Sequence, residues 1–259
     1  MRSFLFSPDK HYGFQQTKTG LMPLHDSQAV KAMLKFASEF EPDIFIEGGD
    51  NLDYGPVSHW LKHKKKSSES LDLRTDANIY RKEILEPINQ IMSRRSKQKK
   101  QKIWMRGNHE EWAREFGEEN PGAASLVDPE TLLDLSGWDV IDQGGYVRLG
   151  KLVAIHGDTL SGQNHAKQAV DKYGHSVMYG HFHTHQIQPK HEMLDVEQPK
   201  LVIAVPGLCN KNPNYLKGKP NQWMKGFAYG WIQEDGSYQV NIPIYVHGRF
   251  VIDGRVYRG

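Results

Sequence analysis

A chain of 259 residues that alternates strand and helix in its first half and turns strand-rich after Gly137 predicts an α/β fold. The expected architecture is two packed sheets flanked by helices, in one domain spanning residues 1–259. Three observations carry that prediction. Short apolar runs each end in a chemically functional residue, a helix-period stretch separates the first two runs, and two hairpin signals close the chain.

Ser3-Phe-Leu-Phe-Ser7 is stopped by Pro8 and reads as a buried strand delivering Asp9 to a loop. After Asp26 and Ser27, Val30, Met33, Leu34 and Ala37 keep the i, i+3, i+4, i+7 spacing of one buried helical face. Asp43-Ile-Phe-Ile46 reads as a second strand ending in Gly48-Gly49-Asp50. One strand–helix–strand unit is then complete, and both strands end in a carboxylate. Residues 72–96 read as helix through Ile84, Leu85, Ile88, Ile91 and Met92, with Pro87 kinking it or starting a second helix. Lys102-Ile-Trp-Met105 is a third strand, ending in Gly107-Asn108-His109.

Helices are expected near 110–117 and 129–136, then strands at about 138–142, 145–149 and 152–156, the last delivering His156. A short helix around 165–172 precedes Ser176-Val-Met-Tyr179, which delivers Gly180-His181-Phe182-His183. Leu201-Val-Ile-Ala-Val205 reads as a further strand. Asp235-Gly236 and Asp253-Gly254 signal hairpins.

Composition excludes several classes. With 38% hydrophobic and 25% charged residues the chain is neither disordered nor collagenous. No apolar run approaches the ~18 residues needed to span a bilayer, so no membrane role is expected. The amino-terminal apolar stretch is shorter than the ~7–15 residues of a signal-peptide core, and a cytoplasmic protein is expected. Cys209 is the only cysteine, which forbids an internal disulfide and suits a reducing compartment. Nothing in the sequence points to a protein partner.

The net charge of +2 is unevenly spread. Residues 59–102 carry 13 Lys/Arg against 5 Asp/Glu, a local balance of +8, which leaves −6 for the rest. This insertion-like basic segment opens with Lys62, Lys64, Lys65 and Lys66 and closes with Arg94, Arg95, Lys97, Lys99, Lys100 and Lys102. It reads either as an arm near a cleft that binds a polyanion, with Lys64, Lys65 and Lys66 as substrate-binding candidates, or as a solvated helix face.

Five segments recur at expected strand ends: Asp9-Lys-His11, Gly49-Asp50, Gly107-Asn108-His109, His156-Gly157 and Gly180-His181-Phe-His183. In open α/β sheets ligands bind beyond the carboxyl ends of the strands, so five converging loops would assemble one site. Carboxylate, amide oxygen and imidazole suit divalent first-row metals, and one cysteine cannot make a thiolate cage.

In this order the segments resemble the hallmark of the calcineurin-like metallophosphoesterases: D-x-H, GD, GNH, H and GHxH. The resemblance spans Asp9 to His183, and it implies a two-sheet sandwich flanked by helices with a dinuclear metal centre. It further implies that Asp9, His11 and His183 bind one ion, that Asn108, His156 and His181 bind the other, and that Asp50 bridges. The ligands suit manganese, iron or zinc, with manganese favoured. By the same resemblance His109 protonates the leaving alkoxide or contacts the phosphate, Asp53 orients His109, and the strand-rich tail belongs to the second sheet.

Arg106-Gly-Asn-His-Glu110 is similar to the LRGNHE segment of the phosphoprotein phosphatases, where the arginine clamps phosphate bidentately. Arg106 is therefore a catalytic and substrate-binding candidate, or else a strand-end surface arginine. Tyr12 after His11, and Tyr54 where those phosphatases carry a second arginine, make the chain look more like the family's nucleases and other phosphodiesterases. Gly107-Asn-His-Glu-Glu-Trp112, His156-Gly-Asp158 and the run from Pro206 to Gly259 look similar to bacteriophage-encoded members, which implies a host bacterial cytoplasm. The expected function is phosphodiester hydrolysis on nucleic acid or nucleotides. A phosphomonoesterase is the alternative, and a non-catalytic binding module on the same fold a third reading.

Overall fold

The computed structural model describes residues 1–58, 61, 70–96, 98–192 and 195–259. Lys64, Lys65 and Lys66 of the basic segment, with Lys62 and Lys97, lie outside the described residues.

Strand alternation sorts the apolar residues into layers. β1 (Arg2–Ser7) sends Phe4 and Phe6 to one face and Leu5 to the other, all three fully buried. A hairpin of β2 (Phe14–Thr17) and β3 (Gly20–Pro23) follows, unforeseen in the sequence because β3 is half-exposed and carries no alternating pattern. α1 (Ser27–Phe40) begins where Asp26 caps it, its side chain accepting the Gln28 and Ala29 amides. β4 (Ile44–Glu47) is buried throughout. α2 (Leu73–Tyr80) runs through a widened π turn at Arg81–Leu85 into α3 (Glu86–Met92). Pro87 lacks an amide hydrogen and its ring would crowd the carbonyl four residues back, and the wide turn accommodates both.

β5 (Gln101–Met105), α4 (Asn108–Glu119), α5 (Ala124–Val127), α6 (Pro129–Leu133) and β6 (Asp139–Ile141) complete the first half. Then come β7 (Val147–Leu149), β8 (Leu152–Ile155), α7 (His165–Tyr173) and β9 (Ser176–Tyr179). β10 (Gln186–Glu192), β11 (Asp195–Ala204), β12 (Ala228–Ile232), β13 (Tyr238–Asn241), β14 (Phe250–Ile252) and β15 (Arg255–Tyr257) end the chain.

The first sheet has the order β13-β12-β1-β4-β5-β6, with β1, β4, β5 and β6 parallel. The second has the order β10-β11-β9-β8-β7, with β8, β9 and β11 parallel and antiparallel strands at both edges. Phe4, Phe6, Ile44, Ile46, Ile103 and Met105 of the first sheet meet Val147, Leu149, Leu152, Ala154, Met178 and Ile203 of the second in a common core. Leu5, Phe45 and Trp104, one residue out of phase, face α1, α2 and α3. Val177, Tyr179, Val202 and Ala204 face Ala166, Ala169 and Val170 of α7. This is the two-sheet sandwich flanked by helices that the sequence predicts.

Two expectations need correction. The strand-rich tail after β11 does not join the second sheet: β12 pairs antiparallel with β1, and β13 with β12, so both extend the first. The reason is that β1 is buried and pairs with β4 along one edge, so its other edge needs a ladder partner. The closing half of the basic segment is also not at the mouth of the candidate site. Lys102 lies near the start of β5, about 10 Å of strand from its end at Met105 at ~3.3 Å per residue, and Asn108 lies beyond that end. Arg94 there binds Ser38 O and Glu41, Lys100 binds Ile91 O, and Lys102 binds Asn89.

Candidate metal centre

Five parallel strands deliver the five motif segments. β1, β4 and β5 of one sheet end before Asp9 and His11, Asp50, and Asn108; β8 and β9 of the other end before His156 and before His181 and His183. Because the two sheets pack with these ends together, all seven residues meet. Asp9, His11, Asp50, His156 and His183 are almost fully buried. Five of the seven, Asp9, His11, Asp50, His181 and His183, have positive φ. Such backbone costs about 1–3 kcal/mol for each non-glycine residue and persists where the surroundings impose it, typically at functional sites.

The donor atoms form two sets around Asp50. On one side His11 Nε2 lies 3.2 Å from His183 Nε2, which lies 3.4 Å from Asp9 Oδ1. On the other His156 Nε2 lies 3.2 Å from the Asn108 side-chain oxygen. Asp50 Oδ2 faces both, 3.9 Å from His11 Nε2 and 3.4 Å from His156 Nε2. His181 joins Asp50 and His156 in a group whose donor atoms all lie within 4.8 Å of one another. An ion with bonds of about 2.1 Å spaces neighbouring ligands about 3.0–3.4 Å apart; the 3.2 and 3.4 Å separations match that spacing, and His11 to Asp50, at 3.9 Å, is wider. Asp9 Oδ1 and His181 Nδ1 are buried without a hydrogen-bond partner, which is what a donor awaiting an ion looks like.

Two glycines make room. A Cβ on Gly107 would strike Asp50 Oδ1 and His156 Nε2, and one on Gly49 would strike the His156 ring, at a φ of 92° that side chains rarely adopt.

Electrostatics point the same way. Burial works against the Asp50 charge, yet His156 and His109 hold its pKa well below the carboxylate range. At His156 burial disfavours the charged ring, but Asp50 outweighs it and pushes the pKa up to about 10. Burial, then the neighbouring His156, push His181 down to about 4.

Surrounding residues hold the donors in place. His156 Nδ1 donates to Gly48 O at 3.0 Å, which leaves Nε2 as the donor atom. Asp9 Oδ2 accepts the His181 amide at 2.8 Å, and Asp50 Oδ1 accepts the His109 amide at 2.9 Å. Beneath the site Lys10 Nζ lies 2.6 Å from Glu47 Oε2, both fully buried, and Tyr80 also donates to that oxygen. Glu110 accepts the amides of Asp50, Asn51, Leu52 and Gly107. Cys209 Sγ lies 3.3 Å from His183 Nδ1. Lys10, Glu47 and Cys209 escaped the sequence reading because burial of a charge pair or thiol leaves no local pattern. Glu110 had a signal, the Gly-x-x-Glu spacing of a reciprocal helix cap.

His109 lies beside the donors, Nε2 3.9 Å from Asp50 Oδ2, its ring 4.5 Å from that of His11 and 3.9 Å from that of Trp112. Asp53 meets it differently from the expectation. The Asp53 backbone carbonyl lies 2.8 Å from His109 Nδ1, while the carboxylate is 3.6 Å away and sits nearer His11 Nδ1, at 3.3 Å. Burial, aided by His11, keeps the His109 pKa below its usual value.

Arg106 does not join the cluster, which corrects its assignment as a phosphate clamp. Its guanidinium lies 2.8 Å from Glu130, 3.6 Å from Asp128 and 3.4 Å from Asp142. Those three carboxylates turn it into a separate cavity of about 530 Å³, with Ala113, Gly117 and Ala124 in its walls.

Mycobacterium phage L5 and Mycobacterium phage D29 each encode a gene 54 protein 27% identical to this chain, over 91% of this chain and 94% of each relative. Among solved structures, Vps29 of Chaetomium thermophilum is similar with a TM-score of 0.40 and 10% identity, over 95% of this chain and 98% of that one. TT1561 of Thermus thermophilus is similar with a TM-score of 0.34 and 10% identity, over 93% and 98%. The family model described as calcineurin-like phosphoesterase matches residues 23–205, which takes in Asp50, Asn108, His156, His181 and His183 and begins after Asp9 and His11. By that match the chain belongs to the calcineurin-like phosphoesterases.

Proposed function

We propose that the chain is a phosphodiesterase acting on nucleic acid or nucleotides, its 259 residues forming one domain. Asp9, His11 and His183 would hold one divalent ion and Asn108, His156 and His181 a second, with Asp50 between the two donor sets. The observation that carries this reading is the convergence of two buried donor sets on one carboxylate. Three oxygen donors and four imidazoles suit manganese, iron or zinc, and manganese is the ion we favour. Bound there, the ion pair supplies positive charge for the phosphate and an acidified water near neutral pH.

The chain's own residues do the rest. Asp50 and the ligands on either side fix the phosphate position, and the positive-φ loops keep that geometry rigid. His109 Nδ1 faces a carbonyl, which can only accept, so Nε2 is the nitrogen that hands a proton to the leaving oxygen. The binding of Arg106 by Glu130, Asp128 and Asp142 favours a diester: a dianionic monoester would draw on that arginine, and a monoanionic diester needs less charge. Similarity to phage proteins supports action in a host bacterial cytoplasm.

Parallel assays on bis-p-nitrophenyl phosphate and p-nitrophenyl phosphate with added manganese test the reading. We expect diester turnover, abolished by chelation, with Asp50→Asn the most damaging ligand substitution. Preferential monoester turnover would reverse the assignment, and at most one bound ion at saturating manganese would remove the dinuclear centre.

A further inference from the structure

Beside the centre, the segment between Cys209 and Lys225 displays aromatic rings. Trp223 packs on the His183 ring with centroids 4.0 Å apart, and the next residue, Met224, donates its amide to His183 O at 2.7 Å. Tyr215 stands 6.2 Å from Trp223 on a single turn, Asn214–Leu216, with more than half of its surface in solvent. The turn is tied down: Asn214 donates its amide to Gln15 Oε1 at 2.6 Å and its side-chain nitrogen to Gln16 O at 2.7 Å.

Between Cys209 and Lys225 the chain has no acidic residue. Lys211, Lys217 and Lys219 are exposed, while Lys225 pairs with Asp26. An exposed aromatic ring held rigidly next to a phosphate-hydrolysing centre, with exposed lysines around it, is the chemistry of a platform for an unpaired base with phosphates on either side. Tyr215 is 58% exposed on a turn held by Asn214, so its ring face is open to a ligand.

We infer that Tyr215, backed by Trp223, stacks the base next to the phosphate bound at the metal centre, and that Lys211, Lys217 and Lys219 receive neighbouring phosphates, so that the substrate is single-stranded nucleic acid. This rests on the proposed phosphodiesterase reading and names its substrate class. A duplex keeps its bases stacked on one another and offers no free face to Tyr215.

The test compares binding of a fluorescently labelled phosphorothioate oligothymidylate with binding of an abasic phosphorothioate strand of equal length, by anisotropy on the manganese-loaded protein, the sulfur-substituted linkages slowing cleavage. The wild-type protein should prefer the base-bearing strand by about 5- to 150-fold, the size of base–aromatic stacking. Tyr215→Ala should collapse that preference toward unity and Tyr215→Phe should keep it. The ratio of kcat/KM on unmodified oligothymidylate to that on bis-p-nitrophenyl phosphate should fall in Tyr215→Ala through KM. Equal binding of the two strands by wild type, or an undiminished preference in Tyr215→Ala, overturns the inference. If wild type hydrolyses neither diester, the phosphodiesterase reading falls while the anisotropy comparison still decides the platform.

Discussion

Glu110 holds the backbone of Asp50: its Oε2 accepts the Asp50 amide at 3.0 Å and its Oε1 accepts the next amide, of Asn51, at 2.7 Å. With Leu52 and Gly107 added, one buried carboxylate gathers the loops after β4 and β5 and sets the spacing between Asp50 and Asn108. Burial, then the Asp50 charge, push the Glu110 pKa up to about 7 against those hydrogen bonds.

Glu110→Gln keeps the shape but turns one acceptor into a donor that faces amide hydrogens. The expected outcome is a loss of about 1–3 kcal/mol in stability from unsatisfied buried amides, and manganese binding weakened by about 10- to 100-fold. Urea unfolding and calorimetric titration measure the two; full affinity in the variant would show that Glu110 does not position Asp50.

His109→Ala should leave metal content intact and lower turnover by roughly 100- to 10,000-fold, the range of general acid–base catalysis. The loss should shrink for nitrophenyl esters, whose leaving groups need little protonation. Equal losses on alkyl and nitrophenyl diesters would make His109 a phosphate contact instead.

Lys10→Met removes the partner of a fully buried Glu47, and breaking such a pair costs about 3–5 kcal/mol. Adding Glu47→Leu removes the stranded charge and should recover much of that loss. Chemical denaturation of wild type, single and double variants forms the cycle; a double variant no more stable than the single one would refute the pairing argument.

His165 supplies a pH test. Burial, with the charge of His181 adding to it, pushes its pKa down to about 4 from 6.5, and its ring lies between Tyr179 OH at 2.6 Å and Thr184 Oγ1 at 3.0 Å. Between pH 6.5 and 4 the unfolded chain binds a proton at this residue that the folded chain does not, so stability falls as pH drops through that window. His165→Gln should flatten that part of the stability curve. Melting temperatures across about pH 4–7 for both proteins check it; parallel curves would contradict the assignment.

Much of the site is legible in the chain because each motif couples a strand to the loop after it. Ser3-Phe-Leu-Phe-Ser7 leads to Asp9, and Lys102-Ile-Trp-Met105 leads to Asn108, so period-2 burial and the strand-end ligand are both local properties. Pro87 likewise announces the break between α2 and α3. Directions of long polar side chains are not local. Arg106 reads as a phosphate ligand from its neighbours in sequence, but Glu130, Asp128 and Asp142 decide where it points. Asp53 reads as a carboxylate partner of His109, and the loop instead presents its carbonyl.

The sequence by itself determined the strand and helix order through most of the chain, the layering of its apolar residues and the seven polar residues that the strand ends deliver, since periodicity and chain reach operate over a few residues. Only the tertiary structure decided that β12 and β13 extend the first sheet, that Lys10 and Glu47 neutralise each other beneath the site, and that Tyr215 and Trp223 stand beside His183. Those outcomes depend on which unpaired edge, uncompensated charge or open face another segment meets after long stretches of chain have closed, and that information is carried by packing rather than by neighbours in sequence.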